Sequence, residues 1–222
     1  MSSHSGPGSD GQHRSDPDLI VLHTLRCCGF MSTSRLDALL APVVTVDVEE
    51  VLLRFAAQGL VRNSGGAFGG WGLTDTGRGL DAQWIALELD RAEARRDVQR
   101  AYDDFLGLNP VTLDICGDWQ VRKSDQPMVL NDHSDRVYDG GVLARLRSVH
   151  AAVAPVCARL TGRLQRFAHY GPRLATALDR ARRGELDQVT DSLDSYHAVW
   201  FQLHKDLLVT LGKGRGDGGD VS

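Results

Sequence analysis

Lysine is nearly missing from this chain of 222 residues: Lys123, Lys205 and Lys213 are the only ones among 25 basic residues. Arginine in its place, with abundant Ala and Gly, is the mark of a G+C-rich coding sequence. The net charge of −4 gives no global attraction to nucleic acid or to an anionic membrane. Long apolar runs are missing as well, none approaching the ~20 residues of a membrane helix, so no membrane span is expected. Residues 1–15, MSSHSGPGSDGQHRS, have no apolar core like that of a secretion signal and are expected to be a disordered arm. The expected location is the cytoplasm. The four cysteines, Cys27, Cys28, Cys116 and Cys157, form no CxxC pair and lie in apolar segments, which favours reduced core thiols over disulfides. Catalytic signatures are lacking too. GKGRG near the C-terminus has no strand before it and no GK[ST] ending, and there is no GxSxG elbow, HExxH helix or pair of CxxC motifs. An enzyme is therefore not expected, and no cofactor is called for.

What is present is a set of helical patterns in two blocks. PDLIVLHTLRCC, residues 17–28, carries Leu19, Ile20, Leu22, Leu25 and Cys28 at helical spacing, with Pro in the first turn and Gly29 as a stop. Ser32 or Thr33 can cap a short second helix with Leu36, Leu39 and Leu40 inside, ended by Pro42. Thr45 is the expected cap of a third, with Val48, Val51, Leu52 and Phe55 on one face and Gly59 at its exit. LVRN and GWGLT then flank the glycine-rich SGGAFGG, the pattern of a β-hairpin with a long tip.

From Gly59-Leu60-Val61 to Leu73-Thr74-Asp75-Thr76-Gly77-Arg78, the order of helix exit, hairpin and strand-to-helix turn resembles the winged helix-turn-helix regulators of the MarR and PadR type. The resemblance covers roughly residues 16–90. It implies a winged-helix domain over residues 16–75 that meets double-stranded operator DNA as a homodimer. Carried onto this chain, the DNA-facing positions are Thr33, Ser34 and Arg35 at the second helix, Thr45, Asp47, Glu50 and Arg54 on the third, and Arg62 and Asn63 in the wing. Residue chemistry at those positions pulls the other way. Asp47, Glu49 and Glu50 occupy the turns that would enter the major groove, where they repel phosphate and release no counterions. Over residues 16–75, four arginines face seven carboxylates, a net charge of −3. A winged helix used as a protein-interaction adaptor, without DNA, is the alternative.

Residues 76–212 read as an all-α module, a helical bundle serving dimerisation and effector sensing, with a disordered tail at 213–222. Its first helix is expected to run from Thr76 to about Leu106, through Leu80, Trp84, Leu87, Val98, Tyr102 and Phe105, and to carry the dimer contact. A shorter amphipathic piece follows at 110–122. After a polar loop, Asp132 or Ser134 can cap a helix that Pro155 kinks or ends; it continues to about Phe167, Gly171-Pro172 punctuates, and a last helix spans roughly Leu186 to Leu211.

Histidines give the one metal reading worth testing. Regulators of the GntR type hold a metal with an Asp and three His, and the matching set would be Asp194, His197, His150 and His204, with His133 also in reach. His197 and His204 are seven apart, ~10.5 Å along a helix, whereas a ligating nitrogen sits ~2.0–2.1 Å from its metal. The two cannot share one ion, and the Asp-to-His spacing of three departs from that family's four, so no metal is assigned. A small-molecule pocket survives this test: apolar walls with a few polar groups, drawn from Trp119, Arg122, His133, Tyr138, His150, His197, Trp200 and His204. The expected whole is mainly α, a winged helix-turn-helix followed by a helical bundle, acting as a dimeric transcriptional regulator with a possible small-molecule effector.

Overall fold

The computed structural model describes residues 11–65, 69–122 and 129–214. The first unit comprises α1 (Pro17–Cys28), α2 (Thr33–Leu40), α3 (Val48–Ala57) and the antiparallel hairpin β1 (Val61–Ser64) and β2 (Gly70–Leu73), paired from Val61 opposite Leu73 to Ser64 opposite Gly70. Then come α4 (Asp75–Arg91), α5 (Arg95–Gln120), a two-residue hairpin β3 (Val121–Arg122) and β4 (Val129–Leu130), α6 (Arg136–Arg163), α7 (Tyr170–Arg182) and α8 (Tyr196–Leu211). Short 3-10 turns lie at Gln165–His169 and Leu186–Gln188. The architecture is mainly helical with a small antiparallel sheet. Among the described residues no helix is long and apolar enough to cross a membrane.

Local chemistry explains the first unit. Asp16 accepts from the Asp18 amide ahead of Pro17, and Gly29, at φ +83°, ends α1. Ser32 caps α2 by accepting from Arg35 N, as expected. The cap of α3 is Asp47, accepting from Glu50 N, instead of Thr45, so the helix starts at Val48, the first residue of its apolar stripe, and later than a Thr45 cap would place it. Leu22, Leu36, Leu40, Leu52 and Phe55 then close a core that also takes in Leu60, Val61 and Leu73 from the hairpin.

The TDTGR turn has a specific job. Thr74 caps α4 by accepting from Gly77 N at 3.0 Å, and its hydroxyl lies 2.7 Å from the Gly59 carbonyl at the exit of α3. Gly77 sits so close beneath Leu60 that a Cβ there would stand 2.0 Å from the Leu60 carbonyl oxygen. The hairpin and the following helix are thereby clamped together.

Several expectations for the second unit are corrected. The long helix from Thr76 is two helices: the chain breaks at residues 92–94, with Glu93 at φ +48° and Ala94 fully buried. α5 runs instead through Pro110 to Gln120 and absorbs the shorter piece expected at 110–122. The module is not all-α, since β3 and β4 pair across residues 121–130. Asp135 caps α6, not Asp132 or Ser134. Pro155 lies inside α6, which ends at Arg163, and Gly171-Pro172 opens α7. The last helix starts only at Tyr196, capped by Ser195.

Two cores result. Leu80 and Trp84 of α4 pack on the first, so that core extends past residue 75; the second gathers Tyr102, Phe105, Trp119, Leu146, Tyr170, Tyr196 and Trp200 from α5 to α8. Residues 11–15 are not a free arm: the Gln12 amide donates to the Thr161 carbonyl, and His13 N donates to the Arg163 carbonyl at 2.9 Å. Residues 1–10 and 215–222, expected to be disordered, lie outside the described residues.

Substituting Gly77→Ala is expected to cost about 1–3 kcal/mol in urea unfolding, because the Leu60 carbonyl is backbone and has nowhere to go. Gly79→Ala, with nothing within 4 Å of the new methyl, should be neutral or gain up to about 1 kcal/mol. Equal losses at the two positions would remove the close-approach explanation.

Candidate functional site

Where α1, α4, α8 and the 165–169 turn meet, a cluster of charge is buried. Arg166, 2% exposed, donates from Nε to Glu88 (2.7 Å), from Nη1 to Asp206 Oδ1 (2.5 Å) and from Nη2 to Thr210 Oγ1 (2.6 Å). Asp206 Oδ2 takes a further bond from the Tyr170 hydroxyl at 3.0 Å. On the other side, His23 reaches two carboxylates, Nδ1 to Asp81 at 2.9 Å and Nε2 to Asp206 at 3.1 Å, with the Cys27 sulfur 3.4 Å from the same Nε2. The groups come from both units, and all are under a tenth exposed.

Each element supplies its group for a local reason. On α1, His23 and Cys27 are four apart and share one face. On α4, Asp81, Ile85 and Glu88 fall at positions i, i+4 and i+7, so two carboxylates ride the buried face of an otherwise polar helix. On α8, Asp206 and Thr210 are again four apart, and the threonine hydroxyl donates to Asp206 at 2.9 Å.

Burial opposes charge at all of these positions, so partners decide the protonation states. Desolvation lowers the His23 affinity for a proton, but the neighbouring groups reverse this and hold its pKa well above the usual histidine value. Burial also pushes the Cys27 thiol up, so Cys27 stays protonated and the effective counter-charges on His23 are Asp81 and Asp206. Asp206 is likewise penalised by burial, yet Arg166 and His23 hold it well below the carboxylate range. His169, beside the cluster, goes the other way: burial and then Arg173 lower it to about 3.

His23 Nε2, Cys27 Sγ and an Asp206 oxygen lie within 4.8 Å of one another, a set of metal-type donors. The Asp206 oxygen in question already accepts from Arg166 Nη1 and Thr210. An ion there would sit against a guanidinium, so the cation at this position is a side chain. What the cluster can do is hold the first unit rigidly on the second. It contains no exposed nucleophile.

The positions anticipated for DNA are dispersed among structural tasks. Thr33 accepts from the Trp71 indole at 3.0 Å, Asp47 caps α3, and Arg54 forms a two-pronged ion pair with Asp18 (2.7 and 2.7 Å). Arg35 donates to Asp194 at 2.9 Å and to the Leu193 carbonyl at 3.0 Å. Ser34 contacts the Ser32 hydroxyl, while Thr45, Glu50, Arg62 and Asn63 are exposed, with the Arg62 guanidinium 5.7 Å from the Phe30 ring.

The anticipated pocket residues separate into two groups. Trp119, Arg122, His133 and Tyr138 gather at the β3–β4 hairpin, where His133 packs on Trp119 at 4.5 Å and bonds Asp139, and Arg122 pairs with Asp135 over the Tyr138 ring. Trp200 donates to Asn109 and stacks on Phe105, and His204 also lies against Phe105. His150 meets Tyr196 edge-on, and His197 is half-buried, both lowered by burial. Of the eight, His150 lines a cavity between α6 and α7. Asp194 precedes the Ser195 cap of α8, so it shares no helical face with His197 and the four-residue metal set does not assemble. The buried cluster was missed in sequence because Asp81, Glu88 and Arg166 sit in charge-rich segments; the one readable signal is two carboxylates seven apart, flanking Ile85.

No family model, no curated protein and no solved structure matches this chain.

Arg166→Met leaves Glu88 and Asp206 buried without their cation and is expected to lower unfolding free energy by about 3–5 kcal/mol; a loss under about 1 kcal/mol would show the cluster to be dispensable. His23 sets a pH signature. Its folded pKa is raised, so its contribution is complete below the unfolded value of about 6.5 and declines as pH rises through the folded value. The thermal midpoint of the wild type should therefore fall on the alkaline side, and His23→Gln should flatten that limb. On the acid side His169, at about 3 when folded, makes stability fall with decreasing pH below about 6.5.

Proposed function

We propose that this chain is a winged helix-turn-helix regulatory protein whose α3 face docks on a basic surface of a protein partner. The element order α1, α2, α3, hairpin, α4 supports the winged helix, together with the Gly59-Leu60-Val61 exit and the Thr74–Gly77 clamp. The observation that carries the choice of partner is the outward face of α3. Glu49 and Glu50 are exposed there beside Leu53, which is 57% exposed. Arg54 on the same helix is neutralised by Asp18, and Arg35 on α2 by Asp194. An acidic, partly apolar face suits a cationic protein surface. It does not suit a phosphate backbone, whose affinity comes from free cations.

The second reading is a homodimeric regulator bound to operator DNA, favoured by the exposed Arg62 and Asn63 of the hairpin. The long helix on which its dimer contact was expected is broken at residues 92–94.

A titration against a random duplex pool and against the chain's own upstream DNA, at about 50 and about 200 mM salt, separates the two. The wild type is expected to show no saturable binding in the ~1–100 μM range typical of non-specific complexes, and Glu49→Gln with Glu50→Gln to acquire weak, salt-sensitive binding. Saturable, sequence-selective binding by the wild type would overturn the adaptor reading in favour of the operator.

A further inference from the structure

Between α2 of the first unit and α7 of the second lies a cleft of about 410 Å³, within the size range of small-molecule sites. Leu39, Pro42 and Pro172 form apolar walls, and Arg35, Arg173 and Arg180 stand around them. Arg180 is engaged by Glu185 at 2.6 Å. Arg35 and Arg173, which belong to different units, converge on a single oxygen: Asp194 Oδ1 is 2.9 Å from Arg35 Nη2 and 3.4 Å from Arg173 Nη2. Two guanidiniums thus share one carboxylate, and that carboxylate is 54% exposed, in the turn ahead of α8.

Two further side chains show that the cleft is built. His169, 6% exposed, lines it with its Nδ1 3.4 Å from Arg173 Nη1; as a neutral ring it accepts from the guanidinium and fixes its position. Gln188 also lines it and is 2% exposed, yet its Oε1 has no hydrogen-bond partner among the described residues, while its Nε2 is taken by Asp187. A buried amide oxygen left without a donor is costly. That oxygen therefore calls for an O–H or N–H from whatever fills the cleft.

We propose that this cleft binds a small hydroxy- or amino-carboxylate, the ligand carboxylate replacing Asp194 between Arg35 and Arg173 and its hydroxyl or amine donating to Gln188 Oε1. Asp194 is the built-in competitor, a tethered carboxylate at high effective concentration. The guanidinium pair suits a carboxylate in particular, since planar forks match planar oxygens. Loading the site takes the Asp194 carboxylate off Arg35 and leaves only its bond to the Leu193 carbonyl, and thus loosens one of the ties between α2 and the helical unit. The site stands independently of what α3 docks on, because its binding is read on the protein alone.

The test is calorimetric titration with L-malate, which offers two carboxylates and a hydroxyl, and with succinate, which lacks the hydroxyl. Asp194→Asn keeps the shape of the turn and removes the competitor, so malate should bind at least tenfold more tightly to this variant than to the wild type. Adding Arg173→Gln to Asp194→Asn should abolish the gain, and succinate should bind Asp194→Asn more weakly than malate. The variants alter half-exposed or rim side chains, and an unchanged thermal midpoint without malate verifies that each is folded. The proposal is overturned if Asp194→Asn binds malate no more tightly than the wild type, or if the gain persists without Arg173. Equal affinity for succinate and malate would overturn the role given to Gln188.

Discussion

Everything in this molecule is arranged around one buried guanidinium. Arg166 cannot lose its proton, and at 2% exposed it must find its partners inside the protein. Glu88, Asp206 and Thr210 meet it from two different helices. The desolvation of such an ion costs several kcal/mol, and neutral packing of the same volume would often be as stable. What the charged arrangement adds is specificity of placement: α4 and α8 must be positioned so that Glu88 and Asp206 both reach the one guanidinium. His23 extends the same constraint into the first unit, because its ring must lie between Asp81 and Asp206 at once.

This explains why the first unit does not behave as a module on a flexible string. A first unit joined to the bundle by one long helix could swing about that helix. Here the helix is cut at residues 92–94, α4 folds against α1 and α8, and its buried carboxylates pair with His23 of α1 and with Arg166 of the 165–169 turn. The cut is also what allows α5 to turn back into the second core. Ala94 and Val98, both fully buried, begin the new face.

Legibility in the sequence follows the range of the interactions. Helix ends written by neighbouring residues were readable: Pro17 and Gly29 around α1, Ser32 before α2 and Gly59 after α3. The interruption at 92–94 was not, because RAEAR is a good helix former and only the packing of Ala94 makes the left-handed turn at Glu93 worthwhile. Capping choices among several Asp and Ser residues, as at 132–135, depend on where the first packed residue falls. The charge cluster was the least visible part of the candidate site. Arg166 lies 78 positions from Glu88 and 40 from Asp206, and His23 lies 58 from Asp81, and each member, taken alone, reads as one more exposed ion. The histidines of α8 drew attention for the opposite reason. They are conspicuous in sequence and, in place, His204 packs on Phe105 and His197 is a half-buried side chain at the first turn.

The two kinds of link between the units differ in what they allow. The Arg166 cluster is buried and holds its cation between two carboxylates, so separating its members would strand several charges at once, and no ordinary ligand supplies that much differential affinity. The Arg35–Asp194 tie is exposed, shared with Arg173, and worth at most about 1 kcal/mol as a surface pair. A ligand carboxylate can replace Asp194 at little cost because the arginines keep an equivalent partner. Regulation through this fold therefore belongs at the rim of the junction, where α2 meets α7, while the buried cluster keeps the junction itself fixed. A movement of α2 reaches α3 directly, since the two helices share Leu36, Leu40 and Leu52 in one core.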